Sequence, residues 1–216
     1  MGLLFRRIHS LAVVVLLAAA RDAAAQGFSP SADEEARLVS VLGLAPGQVV
    51  GEIGAGAGQL SIRAGAAVSP GGRVYATELG ADKIASLKGA IERARASNVE
   101  AIAAGMNATG LAAGCCDAVF MRDVYHHLTA PEDILKDIRR ALRPGGRLLI
   151  IDFEPRQDLS KVEGVRANRG GHGIPIDVLV DELKAAGFEI QSRDPAWRSD
   201  LFAVLARVPS PPPARD

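Results

Sequence analysis

Three glycines, Gly54, Gly56 and Gly58, alternate with Ala55 and Ala57 directly after the run Val49-Val50-Gly51-Glu52-Ile53. Glycine adopts positive φ at little cost and lets backbone approach a ligand closely. A helix that follows such a loop offers unpaired N–H groups and a partial positive charge, which suit a carboxylate or a phosphate. Glu52, two residues before Gly54, separates these ligands. A carboxylate there repels phosphate but can hold the ammonium of an amino-acid moiety. The spacing also departs from the dinucleotide fingerprint G-x-G-x-x-G, because the third glycine comes one residue early and Gln59 stands where glycine is required. No Lys-Ser or Lys-Thr follows, so a Walker-type phosphate loop is excluded. A tight strand-to-helix turn without a ligand would use the same glycines.

Three further segments carry usable chemistry. Glu78 closes the run Val74-Tyr75-Ala76-Thr77, 20 residues beyond Gly58. A carboxylate at such a strand end can accept hydrogen bonds from both hydroxyls of a ribose. Asn107, in Gly105-Met106-Asn107, has an amide that can read an adenine edge, although a plain loop asparagine fits the pattern equally well. The segment Arg122-Asp123-Val124-Tyr125-His126-His127 contains four groups capable of acid–base work, Asp123, Tyr125, His126 and His127. Adjacent histidines on a strand point to opposite faces, so at most one is expected to face a site. Asp123 and His126 are the candidates for a base, and a structural histidine at a helix entry is the competing reading. Neither Cys-x-x-Cys nor His-Glu-x-x-His occurs, so no metal site is expected. The two cysteines, Cys115 and Cys116, are neighbours, and ordinary bridges want more separated Cα atoms. They are expected to be small, partly buried residues rather than a disulfide.

Positioning these groups requires strands that end where the chemistry begins. Ser31 and Glu34 form a capping-box pattern for a first helix reaching about Leu42. Strands are then predicted at 48–53, 73–78, 99–104, 117–121 and 147–153, and helices at 59–68, 82–96, 131–141 and 176–186. Two final strands, 188–193 and 201–207, are joined by a short connection. Alternating strands and helices predict an α/β fold, a Rossmann-like doubly wound sheet of seven strands. That sheet is mostly parallel and ends in a C-terminal antiparallel hairpin. Ligands of such sheets bind beyond the C-terminal strand ends.

The chain has 216 residues, 48% of them hydrophobic and only 4% aromatic, enough for one core built of Ala, Val, Leu and Ile. Basic and acidic residues balance at 25 each, which argues against nucleic acid or an anionic membrane as partner. Arg6 and Arg7 precede an apolar run from Leu11 to Ala20, followed by Ala23-Ala24-Ala25. A basic start, a short apolar centre and a small-x-small site describe a secretory signal peptide over 1–25, with a periplasmic or secreted product and no membrane span after cleavage. If the signal is not used, the protein is cytoplasmic. A folded domain is expected over 26–208, and a disordered Pro-rich tail over 209–216.

In their order and spacing these segments resemble the class I S-adenosylmethionine-dependent methyltransferases, specifically the ubiquinone/menaquinone C-methyltransferase type and an exported bacterial subgroup. The resemblance rests on 49–58, on Glu78, on 117–128 and on Leu142-Arg143-Pro144-Gly145-Gly146 with the strand after it. It implies S-adenosylmethionine as cofactor, with Glu52, Gly54, Gly56 and Gly58 at its methionine end, Glu78 on the ribose and the 105–107 loop, with Asn107, on adenine. Asp123 to His127 would flank the sulfonium, with Asp123 touching the cofactor. The implied reaction is methyl transfer to a small-molecule or lipid-like acceptor, which the resemblance does not name. A non-catalytic binding protein that keeps the fold remains the alternative, and a nicotinamide enzyme is disfavoured by the glycine spacing. His172-Gly173-Ile174-Pro175 resembles a segment of the exported subgroup. The chain departs from the family at Gly51, where a larger residue is usual, at Met106, where relatives carry Asp, and at Gly171 and Gly173 around His172.

Overall fold

The computed structural model describes residues 29–210. The expected signal peptide and residues 211–216 of the tail lie outside them. Seven strands form one sheet: β1 (Val49–Ile53), β2 (Arg73–Glu78), β3 (Val99–Ala103), β4 (Cys116–Arg122), β5 (Leu142–Asp152), β6 (Glu189–Arg198) and β7 (Leu201–Arg207). Their order is β3-β2-β1-β4-β5-β7-β6. The first five are parallel, and β7 runs antiparallel between β5 and β6. The chain winds outward from β1 through β2 to β3, then returns to lay β4 on the other side of β1. This reversal opens a crevice between β1 and β4, the usual ligand position in doubly wound sheets. Ile53 pairs with both Thr77 and Met121, so β1, β2 and β4 end at one level and discharge their loops into that crevice.

Among the described residues five α-helices cover the sheet: α1 (Ala32–Val41), α2 (Gln59–Ala67), α3 (Ala81–Arg93), α4 (Pro131–Ala141) and α5 (Ile176–Ala185). Alternation along each strand feeds two cores. On β4, Ala118 and Phe120 join Leu38, Leu42, Leu60 and Leu87 on one face, while Val119 and Met121 meet Ile134, Leu135, Ile138 and Leu183 on the other. Helix α4 shows why these residues form a helix. Pro131 starts it, Glu132 and Asp133 sit in its first turn, and Arg139 and Arg140 sit in its last, each favourable to the helix dipole. Its buried Ile134, Leu135, Ile138 and Ala141 recur at helical spacing, and truncating one such core leucine to alanine costs about 2–5 kcal/mol.

Four local differences from the sequence reading have physical causes. First, Ser31 Oγ accepts from Glu34 N–H at 3.2 Å, but the Glu34 carboxylate does not complete the capping box. It turns inward to a buried cluster, taking Arg122 Nε at 2.8 Å, Trp197 Nε1 at 3.2 Å and Arg198 at 3.1 Å. Second, β6 runs to Arg198 through Pro195, which an edge strand tolerates; its register slips between Asp194 and Arg198. Third, Cys115 and Cys116 are joined as a vicinal disulfide, contrary to expectation. Gly114 (φ +60°) turns the chain just before β4, and the β4–β5 register shifts between Cys116 and Ala118. Strict alternation is therefore broken where the two side chains meet. Fourth, Gly51, a departure from the family pattern, sits in close packing that a side chain would disturb. A Cβ there would lie 2.9 Å from Leu111 Cδ1, and Leu111 fills that space as a buried core residue.

Candidate active site

Beyond the ends of β1, β2 and β4 lies a cavity of about 560 Å³, within the range of small-molecule sites. The glycine loop forms its floor. Gly54, Gly56 and Gly58 all have positive φ, at +72°, +54° and +79°. Each glycine serves a different purpose. A Cβ on Gly54 would strike Val124 at 2.6 Å and one on Gly58 would strike Leu87 at 2.7 Å, so these two allow close packing. A Cβ on Gly56 would meet nothing within 4 Å, so this position faces open space in the cavity. Gly54 and Ala55 N–H both donate to Thr77 O, which ties the loop to the end of β2.

Glu78 ends β2 and is buried. Its Oε1 accepts from Gly56 N–H at 2.8 Å and its Oε2 from Leu79 N–H at 2.9 Å. Each carboxylate oxygen keeps a lone pair for a further donor. The hydroxyl of Thr77, also lining the cavity, is buried without a partner. Glu52 lies deeper, with Ser61 Oγ donating to it. Burial pushes its carboxyl up to about 8, partly opposed by the hydrogen bonds from Ser61.

The loop after β3 does not present its residues as expected. Met106, largely exposed at 63%, lines the cavity together with Gly105 and Ala108. Asn107 instead faces a larger groove of about 1170 Å³ between α4 and α5. That groove is walled by surface side chains such as Lys136, Arg139 and Asp181 and holds none of the strand-end carboxylates. The smaller cavity is therefore the candidate site.

The segment after β4 separates its four acid–base groups. Asp123 lines the cavity with φ +61°, a conformation rare for a residue with a side chain. Burial and the nearby Asp152 raise its pKa. Tyr125 leaves the site. Its hydroxyl donates to Glu182 at 2.7 Å beside Arg169, and burial followed by Glu182 raises its pKa. Because 125–127 forms a 3-10 turn rather than strand, the adjacent histidines do not point apart; their ring centroids lie 4.0 Å from one another. His126 is buried and His127 lines the cavity. His126 Nδ1 donates to Asp152 Oδ1 at 2.7 Å, and its backbone N–H donates to Asp152 Oδ2 at 3.1 Å. His127 is the most exposed of the group, yet desolvation of its inner face, with His126 and His172 alongside, lowers its pKa to about 4.

His172 arrives from far along the chain, its centroid 5.0 Å from His126 and 5.4 Å from His127. Its loop follows the extension of β5: Arg156 N–H donates to His172 O and Ile174 N–H to Phe153 O. Gly173 (φ +122°) makes that approach possible, since a Cβ there would sit 2.8 Å from Glu154 O. The departure from the family at this position thus has a structural use. Nothing in the sequence signalled the meeting of His172 with His126 and His127, because 45 residues separate His127 from it.

The methyltransferase domain family matches residues 51–150, which contain the glycine loop, Glu78 and Asp123. Over that segment, 100 of the chain's 216 residues, the chain is similar to methyltransferases. The cofactor that the sequence resemblance implies is S-adenosylmethionine. An arsenite methyltransferase of Halobacterium salinarum is 27% identical over 198 residues, covering 80% of this chain and 49% of that protein. A ubiquinone/menaquinone biosynthesis C-methyltransferase of Hahella chejuensis is 27% identical over 112 residues, covering 51% of this chain and 45% of that protein. The chain thus spans about half the length of the curated relatives it matches. Among solved structures, a methyltransferase from Aquifex aeolicus superposes with a TM-score of 0.70 at 23% identity, covering 85% of this chain and 95% of that one. At that identity the likeness shows the fold.

The residues present suit the cofactor. Gly56 leaves the floor open, Glu78 and Thr77 hold spare hydrogen-bonding capacity, and Glu52 is a buried carboxyl at the depth where an ammonium would need a partner. Met106 offers an apolar surface for a base.

Proposed function

We propose that this chain is a methyltransferase that carries a methyl group from S-adenosylmethionine to a small-molecule or lipid-like acceptor held at the Asp123–His127 side of the cavity. The observation that supports this reading is the arrangement of the cavity itself. Glu52, the glycine loop and Glu78 form one side, and Asp123 and His127 form the other. The bound cofactor supplies an electrophilic methyl group on a sulfonium. The chain's task is then chiefly alignment of acceptor and methyl group, since the donor is already activated.

Glu78 would orient the ribose, Glu52 the amino-acid end, and Met106 the base. Asp123 would stand near the transferring group, its backbone held by an N–H bond to Ile151 O at 2.9 Å. A base is needed only where the acceptor must lose a proton. Asp123, which faces the cavity, suits that role better than His126, whose ring lies behind His127. The segment just before α1 and the start of α2 border the cavity. Ser29, Pro30 and Gln59 line the cavity, and Gln59 donates to Pro30 O at 3.0 Å. Export through residues 1–25 is part of the same proposal.

The test is transfer of a radiolabelled methyl group into cell fractions by the purified chain. Label should enter a low-molecular-mass or lipid fraction with the wild type and fail to enter it with Glu78→Ala. Binding of the cofactor with no transfer to any fraction would count against catalysis.

A further inference from the structure

Among the described residues the fold gathers every histidine the chain has beyond His9. One ring nitrogen from each of His126, His127 and His172 lies within 4.8 Å of the other two. Two of these rings already have one nitrogen engaged. His126 Nδ1 donates to Asp152 Oδ1 at 2.7 Å, and His172 Nδ1 donates to Ser160 O at 2.6 Å. With Nδ1 so engaged, Nε2 is the nitrogen of each ring left to face a ligand. In His126 that Nε2 is buried and has no hydrogen-bond partner. A buried nitrogen is costly to leave unsatisfied, so this position is one that an occupant would stabilise.

Asp152 is built to hold His126 in this state. Its two oxygens accept three N–H groups, from His126 Nδ1, His126 N and Phe153 N. A carboxylate behind a histidine, with the opposite ring nitrogen free, is the outer-shell arrangement that orients metal-bound imidazoles. Asp123 and Asp152 both lie within 4.8 Å of His126 and supply negative charge near the cluster. Three neutral imidazoles and an open fourth position are the donor set of catalytic zinc sites. Tetrahedral zinc with Zn–N of about 2.0–2.1 Å holds its nitrogens about 3.4 Å apart, so small ring rotations would close this cluster around an ion.

We propose that His126, His127 and His172 bind a divalent transition-metal ion of zinc's class at the acceptor end of the cavity. His127 lines that cavity, so the open coordination position would face the acceptor and could take one of its heteroatoms. The site would then select acceptors bearing an oxygen, nitrogen or sulfur ligand. Gly173, where a Cβ would lie 2.8 Å from Glu154 O, lets the 171–174 loop lie close to the end of β5 and bring His172 into place.

Metal-stripped, untagged full chain is titrated with cobalt(II) alone and then with zinc(II), without S-adenosylmethionine, so failure bears on this site and not on the donor site. The expected result is one equivalent of cobalt with visible bands of a four- or five-coordinate nitrogen-ligated ion, displaced by zinc. His172→Ala and His127→Ala, both at less buried positions, should each weaken binding at least about 100-fold, and Asp152→Asn about 10–100-fold. Circular dichroism of each variant confirms its fold. No cobalt spectrum at micromolar metal, or binding unchanged in folded His172→Ala and His127→Ala, would overturn the proposal.

Discussion

Glu52 makes cofactor binding pH-dependent in a direction that can be worked out. Its carboxyl is pushed by burial from an ordinary 4.5 to about 8, with Glu78 raising it further and Ser61 and Arg122 opposing. At pH 7 only about a tenth of it is ionised in the free protein. If the ionised form receives the cofactor's ammonium, the apparent Kd at pH 7 is about tenfold weaker than the intrinsic value, roughly 1.4 kcal/mol. Affinity should therefore rise nearly tenfold per unit from pH 6 to about pH 7.5. It should level near pH 8, where the ammonium itself begins to titrate. Binding at pH 6.5 should release close to one proton. Isothermal titration in two buffers of different ionisation enthalpy measures that proton, and Glu52→Gln should abolish both the release and the slope. Proton uptake, or a slope unchanged in Glu52→Gln, would refute the placement of Glu52 against the ammonium. The same shift sets the stability of the free protein. The unfolded chain loses this proton near pH 4.5 while the folded chain keeps it to about 8, so stability falls as pH rises through that window, by up to a few kcal/mol.

Three other outcomes follow from individual contacts. Gly56→Ala places a methyl group in open space at positive φ, so melting should shift only modestly, by about 1–2 kcal/mol, while cofactor affinity falls at least about tenfold; Gly54→Ala, driven against Val124, should destabilise the fold itself. Glu34→Ala removes the carboxylate shared by Arg122, Arg198 and Trp197, and urea denaturation should show a loss of about 3–5 kcal/mol. N-terminal sequencing of protein recovered from the cell envelope should begin at Gln26; an intact Met1 in the cytoplasm would contradict export.

Much of the fold was legible because alternating short apolar strands and amphipathic helices carry their own punctuation. Pro46-Gly47, Pro70-Gly71-Gly72 and Pro144-Gly145-Gly146 mark turns in advance. The meeting of the glycine loop and Glu78 beside one cavity was legible because each directly follows or ends a strand marked by its own apolar run. Less visible was anything set by tertiary contact. Glu34 reads as a capping residue, but buried Arg122 and Trp197 draw its carboxylate inward. Met106 lines the cavity where Asn107 was expected, because the 105–108 turn, closed by a Gly105 N–H bond to Ala108 O at 2.8 Å, turns Asn107 away from it. The histidine cluster needed both a 3-10 turn at 125–127 and the return of the 171–174 loop, and neither has a local pattern.

The central claim is that the strand-end cavity binds S-adenosylmethionine through Glu78. Calorimetric titration of the purified chain tests it most directly. One molecule should bind per chain with micromolar affinity, about −8 kcal/mol, while NAD should not bind and Glu78→Ala should weaken binding at least about tenfold. No binding, or binding indifferent to Glu78→Ala, would contradict it.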